Sequence, residues 1–299
     1  MDDEFSTENR KSAWWATDSR RAVSGHLVDV ILEKTKGKER ADLSDIEAVQ
    51  MGIIMQPTIG KIFQEQTGLA VRDLDLAGTC PTEPWLKAHG DFELENGELL
   101  EVKNFHASQI NKYPDMDDSG LRLPEPDLVQ CVHEAVVFNR SVVYFAVLFG
   151  GQAFRYWKID VTDEMKLEFI KRAAVWWAYC QTNTFPPAET PDQARAIFQK
   201  DDGSIIMANA MIEEVINATK AVKEQIKHLE EREARGLTIL QNFMGDKAEI
   251  QSVAGETLVT WKSAKASMKF DPKLLKSGMP DLYEKFTVET KGSRRLLIK

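Results

Sequence analysis

The fourteen residues from Gly90 to Lys103, GDFELENGELLEVK, constrain this chain more than any other stretch. Phe92 and Leu94 alternate with acids, Leu100 and Val102 alternate with Glu101 and Lys103, and Asn96-Gly97 divides the runs, which is the pattern of a β-hairpin. Loop length decides what the hairpin can do. A two-residue Asn96-Gly97 turn would pair Asp91 with Val102 and place Asp91 and Glu101 on opposite faces. A three-residue loop, Glu95-Asn96-Gly97, puts Gly97 in the left-handed position of a type I turn with a G1 bulge, so that Phe92 meets Leu100 and Asp91 meets Glu101. The second register is expected, because it buries Phe92, Leu94, Leu100 and Val102 on one face and gathers Asp91, Glu93, Glu101 and Lys103 on the other.

Opposed carboxylates with Cβ atoms roughly 5 Å apart repel unless a cation lies between them. Carboxylate oxygens suit magnesium, which keeps coordination positions for water and a phosphate. A lysine two residues after the second acid can orient water or neutralise a phosphate in the transition state. An ordinary exposed hairpin with a charged face has the same local pattern, so the rest of the chain must decide between them.

At 299 residues, with 43% hydrophobic and 28% charged side chains, the chain can bury a full core in one large domain or two. No apolar run approaches membrane-spanning length, and the acidic, polar start MDDEFSTENRK is unlike a secretory signal. Cys80, Cys131 and Cys180 lack CxxC spacing and are expected to be free thiols in the cytoplasm of a host cell. The net charge of −9 argues against indiscriminate coating of nucleic acid. Residues 258–299, however, carry ten Lys/Arg against four acids, which leaves an acidic body and a basic tail.

Along the chain, Trp14-Trp15 reads as an aromatic anchor before a helix carrying Val23, Leu27, Val28, Ile31 and Leu32. Arg20 and Arg21 near its start could hold a terminal phosphate or simply be solvated. A charged loop spans Lys34 to Asp45. A second helix is expected from Ser44, a candidate cap, to Gln66, with Gly68 as its stop and Pro57 as a kink or a fresh start. Residues 69–77 read as a strand and 79–84 as a turn. After the hairpin comes a polar, proline-containing loop (104–126). Asp127 then opens a helix on which Gln130, His133 and Glu134 share a face. Residues 142–150 and 153–159 read as buried strands joined by a tight turn, and Asp163 starts a helix whose aromatics belong to the core. Prolines near 186–192 mark a break. Beyond it lie a long helix from about Ile205 to Leu240, a small hairpin from Glu249 to Lys262 and a basic end. Residues 1–204 are thus expected to form an α/β core with a mixed central sheet, and 205–299 a helical and β-hairpin extension.

Asp91 followed by Glu101-Val102-Lys103 resembles the PD-(D/E)xK nuclease motif, and the helix bearing Gln130 resembles the glutamine helix of its RecB-like branch. Within that branch, QCVHEAVVFNRSVVYFAVLFGGQAFRYWKI is similar to the YqaJ-type viral recombinase (phage lambda exonuclease) family, and WWATDSRRAVSG and TWKSAKASMKFD are similar to longer members. The resemblance implies a restriction-endonuclease-like core. It implies Asp91, Glu101 and the Val102 carbonyl as ligands for Mg2+ or Mn2+, Lys103 as the catalytic lysine, and Gln130 at the edge of the site. Arg20 or Arg21 would meet the 5′ phosphate. Gln56 stands before Pro57 where the family usually has glutamate, so its uncharged carbonyl would make a weaker second metal position. Glu65 lies half a turn away and cannot substitute. The implied activity is 5′→3′ exonucleolytic degradation of double-stranded DNA in phage recombination, by a ring-shaped homo-oligomer working with a single-strand annealing protein. The alternatives are a RecB-like endonuclease or single-strand nuclease, and a catalytically weak DNA-binding protein.

Overall fold

The computed structural model describes residues 7–36, 45–74, 77–116, 119–288 and 292–299. It divides into two compact units, Met1–Phe198 and Gln199–Lys299.

The first unit begins with α1 (Thr7–Lys11), a two-residue strand β1 (Trp14–Trp15) and α2 (Ala16–Arg21). A π-helical turn at Ala22–His26 leads into α3 (Leu27–Thr35), and Gly25 at φ +82° breaks what the sequence suggested was one helix. The tryptophan pair is a strand as well as an anchor, since Trp14 and Trp15 pair in parallel with Leu86 and Lys87. Asp18 fixes this corner by accepting from the Trp15 N–H at 2.9 Å and pairing with buried Lys34 at 2.7 Å.

α4 (Glu47–Thr67) runs unbroken through Pro57 and stops at Gly68, φ +77°. A proline inside a helix removes one backbone donor and crowds the preceding turn, yet here it neither ends nor restarts the helix. The expected cap Ser44 lies outside the described residues. The single strand expected over 69–77 is instead two short ones in different sheets, β2 (Val71–Asp73) and β3 (Ala77–Thr79). A further strand the sequence reading passed over, β4 (Leu86–His89), joins β1 and β3 in a three-stranded sheet.

The hairpin consists of β5 (Phe92–Leu94) and β6 (Leu99–Phe105), with Phe92 opposite Leu100 and Glu93 opposite Leu99. Gly97 sits at φ +83°, and Leu94 donates its N–H to the Glu98 carbonyl at 2.8 Å across the three-residue loop. Two 3-10 turns, Ala107–Lys112 and Gly120–Arg122, shape the following loop. α5 (Glu125–Val137) starts two residues before the expected Asp127, at the Pro124 boundary. β7 (Val142–Phe149), a Gly150-Gly151 turn with positive φ at both glycines, β8 (Ala153–Asp160), α6 (Asp163–Thr182) and α7 (Pro191–Ile197) complete the unit.

The central sheet has the order β2-β5-β6-β7-β8 and is mixed: β6 and β7 are parallel and every other pair antiparallel. Both faces are covered. Ile59 and Phe63 of α4 pack on Phe92, Leu94, Leu100 and Val102, while α5 and α6 cover Leu99, Phe145, Val147 and Trp157 on the other face. A strand buried on both sides loses the usual apolar–polar alternation, hence the unbroken run VVYFAVLF in β7. Trp14 stacks on Trp176 at 5.7 Å, so these aromatics are core.

The second unit holds α8 (Ala210–Met244), the antiparallel pair β9 (Glu249–Gln251) and β10 (Thr257–Thr260), and the short helices α9 (Pro272–Gly278) and α10 (Pro280–Lys285). Asp271 caps α9 through the Lys273 and Leu274 N–H groups, which is why Asp271-Pro272 interrupts the basic tail. Among the described residues no helix is long and apolar enough to cross a membrane, and Cys80, Cys131 and Cys180 are free.

Candidate active site

β6 carries both apolar and polar cargo because its two faces meet different layers. Leu100 and Val102 point to α4, while Glu101 points to α5 and is 2% exposed, a burial a carboxylate tolerates only with partners. Lys103 Nζ and Gln130 Nε2 both donate to Glu101 Oε1, the latter at 2.5 Å. The same Gln130 amide donates to Glu134 Oε1 at 3.0 Å. Spacing of i, i+4 on α5 sets that second bond, so Glu134 belongs to the cluster and not merely to the helix face on which the sequence placed it.

Asp91 lies just outside the β5–β6 ladder. Its Oδ2 accepts from the Val102 backbone N–H at 2.9 Å, and its Oδ1 accepts from Gln56 Nε2, also at 2.9 Å. Gln56 therefore reaches the site, from a helix that also contributes Val49, Gly52 and Ile53 to the wall of a cleft. That cleft, about 240 Å³, is floored by Asp91, Val102, Lys103 and Asn104. The Gln56 amide nitrogen faces Asp91, so its carbonyl could serve as a ligand at that position only after a half-turn of the amide. Glu65 is exposed and pairs with Lys61, well away from the cleft.

The charges are strongly interdependent. Burial, and then the Glu101 charge, hold Asp91 well above the usual carboxylate range. Burial alone would lower Lys103, but Glu101 and then Asp91 outweigh it and raise the ammonium above its ordinary value. Burial and then Glu101 push Glu134 up. Glu101 Oε2 and Gln130 Oε1 are buried with no hydrogen-bond partner among the described residues. Two crowded carboxylates and unsatisfied buried oxygens fit a hard divalent cation. Among the described residues no group of three or more His, Cys, Asp or Glu side chains could hold a metal, so such an ion would need amide, backbone or water oxygens besides the two carboxylates.

The arginines separate. Arg21 is engaged by both oxygens of Glu33, at 2.6 and 2.7 Å. Arg20 pairs with Asp127, in the first turn of α5, at 2.9 Å, and Tyr113 donates to the other Asp127 oxygen at 2.6 Å. Arg20 is thus tied to the helix that bears Gln130, and Arg21 is tied to α3. Nothing in the spacing of Tyr113, Asp127 and Arg20 announces this contact. The same is true of Ser19, which accepts from Trp14 Nε1 and bonds His133 Nδ1 at 2.8 Å. Burial lowers His133 to about 3, so it is neutral and structural.

The first unit is thus a mixed central β-sheet flanked by helices, as expected from the sequence, with an acidic pair and a lysine at the hairpin and central strand. In an alignment 297 positions long that covers 92% of this chain and 91% of its counterpart, the sequence is 26% identical to the uncharacterized protein YqaJ of Bacillus subtilis (strain 168), a distant relationship. An alkaline exonuclease from Laribacter hongkongensis is similar in structure at 14% identity, covering 59% of this chain and 92% of that one with a TM-score of 0.46. A phage-related exonuclease from Haemophilus somnus 129PT covers 55% of this chain and 81% of that one, with 10% identity and a TM-score of 0.42. No family model matches the chain.

Proposed function

We propose that this protein is a metal-dependent nuclease that degrades double-stranded DNA from its ends, 5′→3′, for phage or prophage recombination. The observation that carries this reading is the convergence of Asp91, Glu101, Lys103 and Gln130 from three separate segments, with Asp91 and Lys103 lining the cleft and buried Glu101 joining Lys103 to Gln130. Asp91, Glu101 and the Val102 carbonyl would hold Mg2+, or Mn2+, with Gln56 as a weaker donor to a second ion. Such an ion supplies charge neutralisation and a more acidic water when bound. Lys103 holds its proton firmly and so acts as a fixed positive charge near the scissile phosphate. Gln130 positions Glu101 and, through it, the lysine. Arg20, tied to the start of α5, is the better candidate than Arg21 for the terminal phosphate, because two of its five N–H donors meet Asp127 and the others are uncommitted in that pairing. Assembly into a ring around the duplex and action beside a single-strand annealing protein belong to the same reading.

A RecB-like endonuclease could use the same residues, and Gln56 in place of an acid favours a catalytically weak DNA-binding protein. Linear and covalently closed circular duplex, each incubated with and without magnesium, separate the three. Nucleotide release from the linear form alone, dependent on the metal, is expected. Cleavage of the closed circle would favour the endonuclease, and binding without cleavage would favour the third reading.

A further inference from the structure

α8 is 35 residues long, about 50 Å at the rise of an α-helix. An isolated helix gains most of its stability from packing an apolar face, and the apolar face of α8 is bare. Ile212, Val215, Val222, Ile226, Leu229 and Phe243 are all more than 45% exposed. Their order is stricter than helical amphipathicity requires. Positions 212, 215, 219, 222, 226, 229, 233, 236, 240 and 243 alternate steps of three and four, the a and d sites of a heptad repeat, occupied by Ile, Val, Thr, Val, Ile, Leu, Glu, Gly, Leu and Phe. A 3.5-residue period over more than four heptads, apolar at seven of its ten positions, is the pattern of a helix that pairs with another helix.

The polar residues choose the partner and its direction. In a parallel pair with a second copy, each layer meets itself. Glu233 would then face Glu233 of the other copy, Gly236 would face glycine and leave a hollow, and the flanking contacts (Ala218 with Lys223, Gln225 with Glu230, Arg232 with Leu237) would join no opposite charges. Reversing one helix about a two-fold axis between Lys227 and His228 changes every layer. Ile226 then meets Leu229, Val215 meets Leu240, Ile212 meets Phe243, and Gly236 lies against Thr219. Along the flank Ile216 faces Leu237 and Lys223 faces Glu230, each contact occurring twice by symmetry. In the remaining layer Glu233 meets Val222, one residue from Lys223 of the other helix, where an ion pair replaces the Glu233–Glu233 contact of the parallel arrangement. Three of the five distinct layers are then apolar on both sides, and the charged flank pairs opposite signs, so α8 matches its own reverse better than it matches itself in parallel.

We propose that α8 is a self-association element, pairing antiparallel with α8 of a second copy of this chain about that axis. This does not rest on the nuclease reading, and it is a contact distinct from any ring formed through the first unit.

The direct test uses the full chain with Cys180→Ser and one spin label, at either Glu214→Cys or His228→Cys, with inter-copy distances measured by pulsed dipolar spectroscopy. The antiparallel pair sets the two His228 positions within about 20 Å and the two Glu214 positions about 40 Å apart along the axis. Short distances at both sites would mean a parallel pair, and no inter-copy distance at either would mean no pair; each result overturns the proposal. Sedimentation supplies a second readout. Lys223→Glu should weaken association about tenfold by setting like charges opposite each other, and adding Glu230→Lys should bring it to within about threefold of the parent. Both residues are exposed surface positions, so helix content by circular dichroism should not change. Failure of the second substitution to rescue would overturn the pairing.

Discussion

Lys103 is held by its ion pair with buried Glu101, so its removal tests the chemistry at a cost in stability. Lys103→Ala should lower nucleolytic turnover by about 10²–10³-fold while the chain stays folded and binds DNA. Turnover within about threefold of the parent would remove the lysine from the mechanism. Asp91 makes a statement about stability. Its folded pKa is raised, so it favours the folded state while protonated, and that contribution is lost as pH rises through the folded pKa. Melts of metal-free protein should therefore fall from mildly acidic to neutral pH, and Asp91→Asn should flatten the fall and raise the neutral melting temperature by a few degrees. An unchanged profile would mean that other groups govern it. Gln56→Glu exchanges an amide that donates to Asp91 for a third carboxylate. The metal-free protein should melt lower, and activity should rise most at limiting magnesium. Identical magnesium titrations would show that residue 56 does not share the ion.

At the scale of elements, the site depends on how closely α4 approaches β5. A Cβ on Gly60 would stand 3.1 Å from the Phe92 ring, and Gln56 lies one turn before Gly60 on the same helix. Gly60→Val should push the helix off the hairpin, costing about 1–3 kcal/mol of stability and weakening the Gln56–Asp91 contact. A crystal structure of the variant with that 2.9 Å bond intact would refute the coupling. The hairpin register was legible in the sequence because Gly97 and the alternation of Phe92, Leu94, Leu100 and Val102 admit one loop that buries all four. β1, β4 and the split of 69–77 were not, because strands of two to four residues leave no periodicity to read. Glu101 and Lys103 could be singled out from their spacing. Glu134, Ser19 and the Asp127–Tyr113–Arg20 contact could not, since each depends on segments distant in sequence meeting through the fold.

Across the whole molecule, the hydrophobic clusters among the described residues lie between Trp14 and Ile197, so a chain ending at Phe198 should unfold cooperatively by calorimetry. A broad, non-cooperative transition would show that the remaining residues support the core. If the basic tail grips DNA, neutralising Lys262, Lys265 and Lys269 should reduce the log–log salt slope of duplex binding by about two to three. An equal slope would leave those lysines to architecture. The parallel ladder between β6 and β7 carries one more implication. Seven residue pairs, Leu99–Val143 through Phe105–Phe149, join strands that α5 and its loop separate by more than thirty residues. On the ribosome, the hairpin emerges with the outer edge of β6 open until β7 has also been made, and an open, apolar edge templates pairing with other chains. The strand that holds Glu101 and Lys103 is thus open to mispairing during synthesis, and slow translation between Phe105 and Val142 should lower soluble yield without altering the protein that does fold.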